Sequence, residues 1–177
     1  PGKKIRIPLA WVTRQSASAR IVSIHGEVTV KRGATRRNLQ AAPDLQLFVG
    51  DEIQSAADSF AIIEFADDSR LRVQENSGIR LNDLKVFGDL GLIRTMVELQ
   101  YGRAENIVPK NSRTDSRFSI KTPSAISSVR GTEFRVGVLQ EGAATASEVL
   151  AGALQVSAEE QAVNVDKGFG SVTLQGR

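Results

Sequence analysis

Apolar and polar side chains alternate along most of this chain. Val22, Ile24, Gly26, Val28 and Val30 fall on one phase, with Ser23, His25, Glu27 and Thr29 on the other. The same period of two returns in Ala61-Ile63-Phe65, in Leu71-Val73 and in Leu154-Val156. Successive side chains of a strand point to opposite faces, so the pattern predicts half-buried β-strands. Turn-forming residues punctuate the runs at Gly33, Gly50-Asp51, Asp67-Asp68, Gly78, Gly102, Gly131, Gly152 and Gly168. Short strands between such breaks predict an all-β domain. The best helix candidate, Asp83 to Leu99, is interrupted by Gly88 and Gly91 and reads as a loop and a strand.

A faint internal repeat refines this expectation. Gly26-Glu27-Val28-Thr29-Val30 resembles Gly152-Ala153-Leu154-Gln155-Val156, and Gly102-Arg103-Ala104 opens a third copy. A glycine followed by a polar-apolar strand is what a stacked β-coil uses, each rung burying its face on the next. The uneven spacing leaves two architectures: a twisted, solenoid-like coil of short strands, or a two-sheet sandwich.

Three segments follow from the pattern. Residues 20–177 are the β domain. Residues 13–19, small and polar without an apolar period, read as a linker. Residues 1–12 contain a Pro-Gly turn and one short strand, too little to fold alone, and read as the end of an upstream module. A start at Pro1 suggests processing or excision from a longer protein.

Composition narrows the chemistry. The chain of 177 residues has no cysteine, which excludes disulfides, thiolate metal sites and cysteine nucleophiles. A single histidine, His25, excludes a multi-histidine metal centre and leaves one imidazole for any Ser-His-Asp arrangement. No apolar run is long enough to span a bilayer as a helix. The net charge of +3 is unevenly spread: residues 1–40 hold nine Lys and Arg against Glu27 alone, a net +8, which leaves −5 for the rest. A basic front can meet phosphates, anionic lipid or an acidic polymer; its plainer reading is a solvated strand surface.

The densest turn chemistry lies between Phe118-Ser119-Ile120 and Phe134-Arg135-Val136. Pro123 fixes its own φ and pushes Thr122 towards an extended conformation. Gly131 allows a backbone shape or a close approach closed to other residues. Arg130 offers five donors to strand-end carbonyls, and Thr132 can bond to nearby backbone. Ser127 and Ser128 are possible nucleophiles, but no G-x-S-x-G elbow is present and only His25 could act as base. The corner therefore reads as architecture, with no catalytic residue. Asp67-Asp68 and Asp51-Glu52 lack the acidic spacing of a calcium loop and read as turn caps, and Glu159-Glu160 reads as a turn between the last strands. Neither metal nor other cofactor is expected.

Phe118-Ser119-Ile120-Lys121-Thr122-Pro123 followed by Val129-Arg130-Gly131-Thr132-Glu133-Phe134-Arg135-Val136 resembles the core signature of the FecR domain. Gly26-Glu27-Val28, then Gly50-Asp51-Glu52-Ile53-Gln54-Ser55, then Ser59 to Ser69 are similar to earlier parts of that domain in the same order. Gly102, Gly152 and Gly168 fit its later turns, so the resemblance runs from about residue 20 to 174. Asp68 departs from it, standing where the family commonly has Gly. The resemblance implies an exported, mainly β domain of coil-like strands in the envelope or periplasm of Gram-negative bacteria. It also implies signal relay from an outer-membrane receptor to a sigma factor, although no anti-sigma segment is visible here. Pro1 to Pro8 is similar to the closing turn and strand of LysM modules, which bind peptidoglycan; an ordinary Pro-bounded strand is the alternative.

The leading functional reading is a non-catalytic envelope module that binds a protein partner, or relays a signal, with peptidoglycan reached through the upstream region. The alternative is a nucleic-acid-binding protein, motivated by the basic front but lacking interleaved aromatics. A hydrolase is the weakest reading.

Overall fold

A computed structural model describes residues 14–16, 18–87, 92–110, 117–129, 131–158 and 161–175. Arg130, Gly88, Gly91, Glu159-Glu160 and the LysM-like residues 1–12 with Trp11 lie outside the described residues. The early strands are β1 (Arg14–Ser16), β2 (Ala19–His25), β3 (Val28–Lys31), β4 (Asn38–Gln40), β5 (Gln46–Leu47) and β6 (Glu52–Ser55). The middle strands are β7 (Phe60–Phe65), β8 (Arg70–Val73), β9 (Ser77–Phe87), β10 (Leu92–Tyr101), β11 (Arg103–Ile107) and β12 (Arg117–Lys121). The last six are β13 (Ile126–Val129), β14 (Glu133–Leu139), β15 (Ala144–Ala151), β16 (Ala153–Ala158), β17 (Gln161–Asp166) and β18 (Gly170–Leu174). A 3-10 turn, Gln140–Gly142, joins β14 to β15. The Asp83 to Leu99 stretch contributes the end of β9 and most of β10, in keeping with its broken helical pattern.

The strands form two sheets, as the sandwich alternative anticipates. The first runs β17-β16-β13-β12-β10-β9-β6-β3-β4, with β1 added beside β9; the second runs β18-β15-β14-β11-β8-β7-β2-β5. Neighbours are antiparallel except β10 and β12, which are parallel. The chain reaches both sheets by crossing between them again and again, which gives the path its coil-like character. Among the described residues nine crossings carry a residue with positive φ: Gly26, Asp44, Gly50, Asp58, Asn76, Gly102, Gly131, Gly152 and Gly168.

The core lies between the sheets. Val30, Ile53, Ile79, Leu81, Val97 and Leu99 of the first sheet are fully buried, as are Ile63, Leu71, Val73 and Phe134 of the second. Phe65 and Phe118 meet edge-on across the layers with ring centroids 5.5 Å apart. Branched aliphatics do most of the filling, as the scarcity of aromatics in the sequence requires.

Two details differ from the simple alternation. In β2 the buried side chains are Ala19 and Ile21, while Val22 and Ile24 are only partly covered. A register shift between Ile21 and Ser23 against β7 changes the phase, and the chain then leaves the sheet at Gly26. Gly78 is a strand residue of β9 and not a turn: a Cβ there would lie 2.6 Å from Cζ of Tyr101, whose ring covers the gap. Within residues 13–19, read as a linker, Arg14–Ser16 pairs with the far end of β9 and Ala19 opens β2.

Candidate functional site

The repeated glycines sit where corners of the two-layer path stack on one another. Ser59 Oγ accepts the backbone N–H of Glu27 at 2.9 Å, just after Gly26, and donates to the carbonyl of Ala57. Ser77 Oγ accepts the N–H of Arg103 at 2.9 Å, just after Gly102, and donates to the carbonyl of Glu75. Thr132 Oγ1 donates to the carbonyl of Ala153 at 2.7 Å, just after Gly152. Each repeated glycine thus approaches a neighbouring corner closely enough to meet its hydroxyl. Backbone bonds continue the stack: Ala56 N to Glu27 O, Asn76 N to Ala56 O, Gln74 N to Arg103 O and Val138 N to Gly102 O. Ser59 and Ser77 are structural residues that the turn analysis passed over; each follows a positive-φ Asp or Asn and precedes or opens a strand.

The corner at Thr122-Pro123 is built in the same way. Thr122 Oγ1 accepts the N–H of Ala125 at 3.0 Å, closing the turn that Pro123 begins. Its hydroxyl also lies 2.6 Å from that of Thr145, which in turn lies 2.6 Å from that of Ser124. All three hydroxyls are buried between the sheets, so the end of the core nearest β18 is held by hydroxyl contacts where other parts hold aliphatics. Pro123 faces Gly142 of the 3-10 turn. Gly131 has φ +67, and a Cβ there would lie 2.9 Å from the Cα of Lys110.

Ser127 and Ser128 are not brought together with His25. Ser127 is fully buried with its hydroxyl 3.3 Å from that of Ser147, and Ser128 Oγ lies 3.0 Å from Ser119 Oγ. Both are on β13 of the first sheet, whereas His25 is on β2 of the second, stacked on Phe60. The paired carboxylates cap turns. Asp51 is buried and accepts from Arg32 Nη1 at 2.6 Å, from Gly33 N at 3.0 Å and from Phe48 N at 3.0 Å. Asp67 accepts from Ser69 N, and Asp68 takes the left-handed position with φ +61. Among the described residues no three of His, Asp and Glu converge as metal ligands.

Parts of the outer faces of both sheets are tiled by charge. Across the second sheet Arg20, Glu64 and Arg70 are register neighbours, with ion pairs of 2.8 Å and 2.9 Å. Beside them runs Arg72–Glu105–Arg135–Glu148, with Arg135 and Glu105 paired at 3.0 Å. Across the first sheet runs Lys31–Glu52–Arg80–Glu98–Lys121. Opposite charges directly across strands stabilise a sheet, and like charges there do the reverse. The two arginines beside Glu64 hold its carboxyl below the ordinary carboxylate range, Arg20 contributing most. Burial raises the Tyr101 phenol, with Glu52 adding to the effect.

Three open hollows interrupt these faces. One of about 460 Å³ lies over Gly137 and Ala146 between Arg103, Arg135 and Glu148. Another of about 480 Å³ is lined by Arg117, Ser128, Gln155, Asn164 and Asp166. A third of about 340 Å³ adjoins Thr122 and Pro123, with Lys121 and Ser157 on its rim. All three are open, and their linings mix polar and apolar side chains. No helix is long and apolar enough to cross a membrane.

Comparison with known proteins agrees with the FecR resemblance of the sequence. The family described as "FecR protein" matches residues 51–155, more than half of the chain. Comparison with curated proteins finds no match. Two crystal structures of a candidate anti-sigma factor from Parabacteroides distasonis ATCC 8503 are similar, with identities of 18% and 19% and TM-scores of 0.57 and 0.58. Each match covers 71% of this chain and 55% of the solved one, so the chain spans about half the length of those relatives. At that identity the likeness is one of fold.

Proposed function

The chain belongs to the FecR family, and from that membership we propose that its β domain is a non-catalytic signal-relay module of the cell envelope, acting through a protein partner. The observation that carries this reading is the use made of the family motif. Thr122, Pro123, Gly131 and Thr132 are spent on closing corners, leaving the charged outer faces and their shallow hollows to meet another protein. In this reading the serines of β13 and His25, which lie on different sheets, have structural roles. The anti-sigma likeness of the structural neighbours supports relay as the kind of signal handling involved.

The finer parts of the proposal are an exported location and a tether to peptidoglycan. The tether rests on the LysM-like Pro1 to Pro8 and belongs to the region upstream of the β domain. Glycan recognition needs a preformed groove, which a turn and one strand do not supply. A protein extended upstream should therefore sediment with insoluble peptidoglycan near physiological salt, while residues 20–177 alone stay in solution. Salt-resistant retention of residues 20–177 would move the glycan site into the β domain.

Relay itself is tested by removing residues 20–177 from the chromosomal gene and following sigma-dependent transcription. Altered transcription is expected. An unchanged profile alongside intact envelope attachment would replace relay with scaffolding. The nucleic-acid alternative, drawn from the basic front, is checked by titrating the protein with duplex DNA across salt concentrations. Specific binding that survives physiological salt would favour it.

A further inference from the structure

Among the described residues one cross-strand row of the first sheet lacks this alternation of charge. Lys85 of β9 is the register neighbour of Arg94 on β10, and Arg94 is the register neighbour of Arg117 on β12. Three cations therefore stand side by side across three strands. Neighbouring strands are about 4.8 Å apart, so the row is about 10 Å long. Elsewhere on both faces an acid separates such cations, as in Lys31–Glu52–Arg80–Glu98–Lys121 on the same sheet. Like charges directly opposite one another destabilise a sheet, so the row costs the fold something that the neighbouring rows avoid.

The surroundings only partly relieve it. Lys85 pairs with Asp83 on its own strand at 2.8 Å, and the guanidinium of Arg94 lies 5.5 Å from the ring centroid of Phe87. Both arginines are exposed, and neither has a carboxylate partner among the described residues. Arg117 also lines the hollow of about 480 Å³ that continues over β13 and β16. With Asp83 counted, the row keeps a net charge of +2.

We propose that Lys85, Arg94 and Arg117 form a docking row for an acidic α-helix of a protein partner. Carboxylates at positions i, i+3 or i+4, and i+7 of a helix lie about 5–6 Å apart along one face. A helix laid across the strands would thus set successive carboxylates over successive cations. Two of the three are arginines, whose planar fork donates paired hydrogen bonds to a carboxylate. A nucleic-acid track is a poorer fit, because it needs a longer basic groove with aromatic side chains for base stacking. The row names a surface and a partner chemistry for the relay reading and rests on that reading.

The test uses the full 177-residue chain and a labelled helical peptide with Glu at i, i+4 and i+7, beside a twin carrying Gln at those positions. Binding is read by fluorescence anisotropy near physiological salt. The double variant Arg94→Gln with Arg117→Gln is compared with Arg70→Gln with Arg135→Gln, which removes equal charge from the alternating rows. The Glu peptide should bind about tenfold more weakly to the first variant and nearly unchanged to the second, with the Gln twin binding neither. Melting of the first variant should be unchanged or raised, since like charges have been removed. Equal weakening in both variants would reduce the effect to net charge and overturn the proposal, as would absence of Glu-peptide binding. Tighter, steeply salt-dependent binding of a single-stranded oligonucleotide through the same arginines would overturn it in favour of a nucleic-acid surface. Failure here with transcription still dependent on residues 20–177 would remove the row and leave relay standing.

Discussion

Ser77 accepts the backbone N–H of Arg103 on its hydroxyl at 2.9 Å, 26 residues along the chain, while the intervening corner at Gly102 packs against Ser77 with no room for a Cβ. The pair fastens the corner leading into β9 to the corner leading into β11, and so links interior strands of the two sheets. Ser77→Ala should leave the Arg103 N–H without this acceptor and destabilise the domain by about 1–2 kcal/mol. Chemical denaturation with the exposed-corner control Asp166→Asn checks it; equal midpoints would show that the hydroxyl contributes nothing.

Gly131→Val should cost more. Its φ of +67 is unfavourable for a branched residue, and a side chain would run into the backbone of Lys110. A loss of about 1–3 kcal/mol is expected, read as a lower melting temperature with an unchanged β-type circular dichroism spectrum. A melting temperature equal to wild type would remove the architectural reading of this corner.

Asp51→Asn retains the shape of the side chain and removes its charge. The carboxylate accepts from Arg32, Gly33 and Phe48 while buried, and an amide can offer an acceptor to only part of that set. Stability should fall by about 2–4 kcal/mol, because Arg32 and the backbone donors lose their partner. Urea midpoints of the variant, alone and combined with Arg32→Met, test the coupling; additive losses would show that the two side chains act independently.

Acid should weaken the Arg20–Glu64–Arg70 row. Glu64 titrates below its ordinary value of 4.5 in the folded protein, held there first by Arg20 and then by Arg70. The folded state therefore favours the ionised carboxylate. Its contribution is present above the unfolded value and is lost as pH falls through the lower folded value. Glu64→Gln should accordingly lose less melting temperature than wild type between about pH 5 and pH 3, and added salt should shrink the difference. Parallel pH profiles of the two proteins would contradict this.

The all-β class was legible in the sequence because its signals are local. Side chains on a strand alternate faces, so Ala61-Ile63-Phe65, Leu71-Val73 and Leu154-Val156 announce their buried phase without reference to any partner. The turn closed by the Thr122 hydroxyl on the Ala125 N–H and the positive φ of Gly131 are local in the same sense, since φ preferences and short-range hydroxyl bonds belong to a few consecutive residues. What those corners rest against was not. The contacts of Ser59 with Glu27 and of Ser77 with Arg103 span 32 and 26 residues, and only the repeated passage between sheets brings them together. The phase change in β2 came from a register shift against β7, which no pattern within β2 contains. The charge rows belong wholly to tertiary structure. Lys85, Arg94 and Arg117 look like ordinary surface cations in the sequence, and they become adjacent through the antiparallel β9–β10 and parallel β10–β12 registers. Local sterics chose the strands and turns; the burial of both sheets against one core chose which distant side chains would stand next to each other.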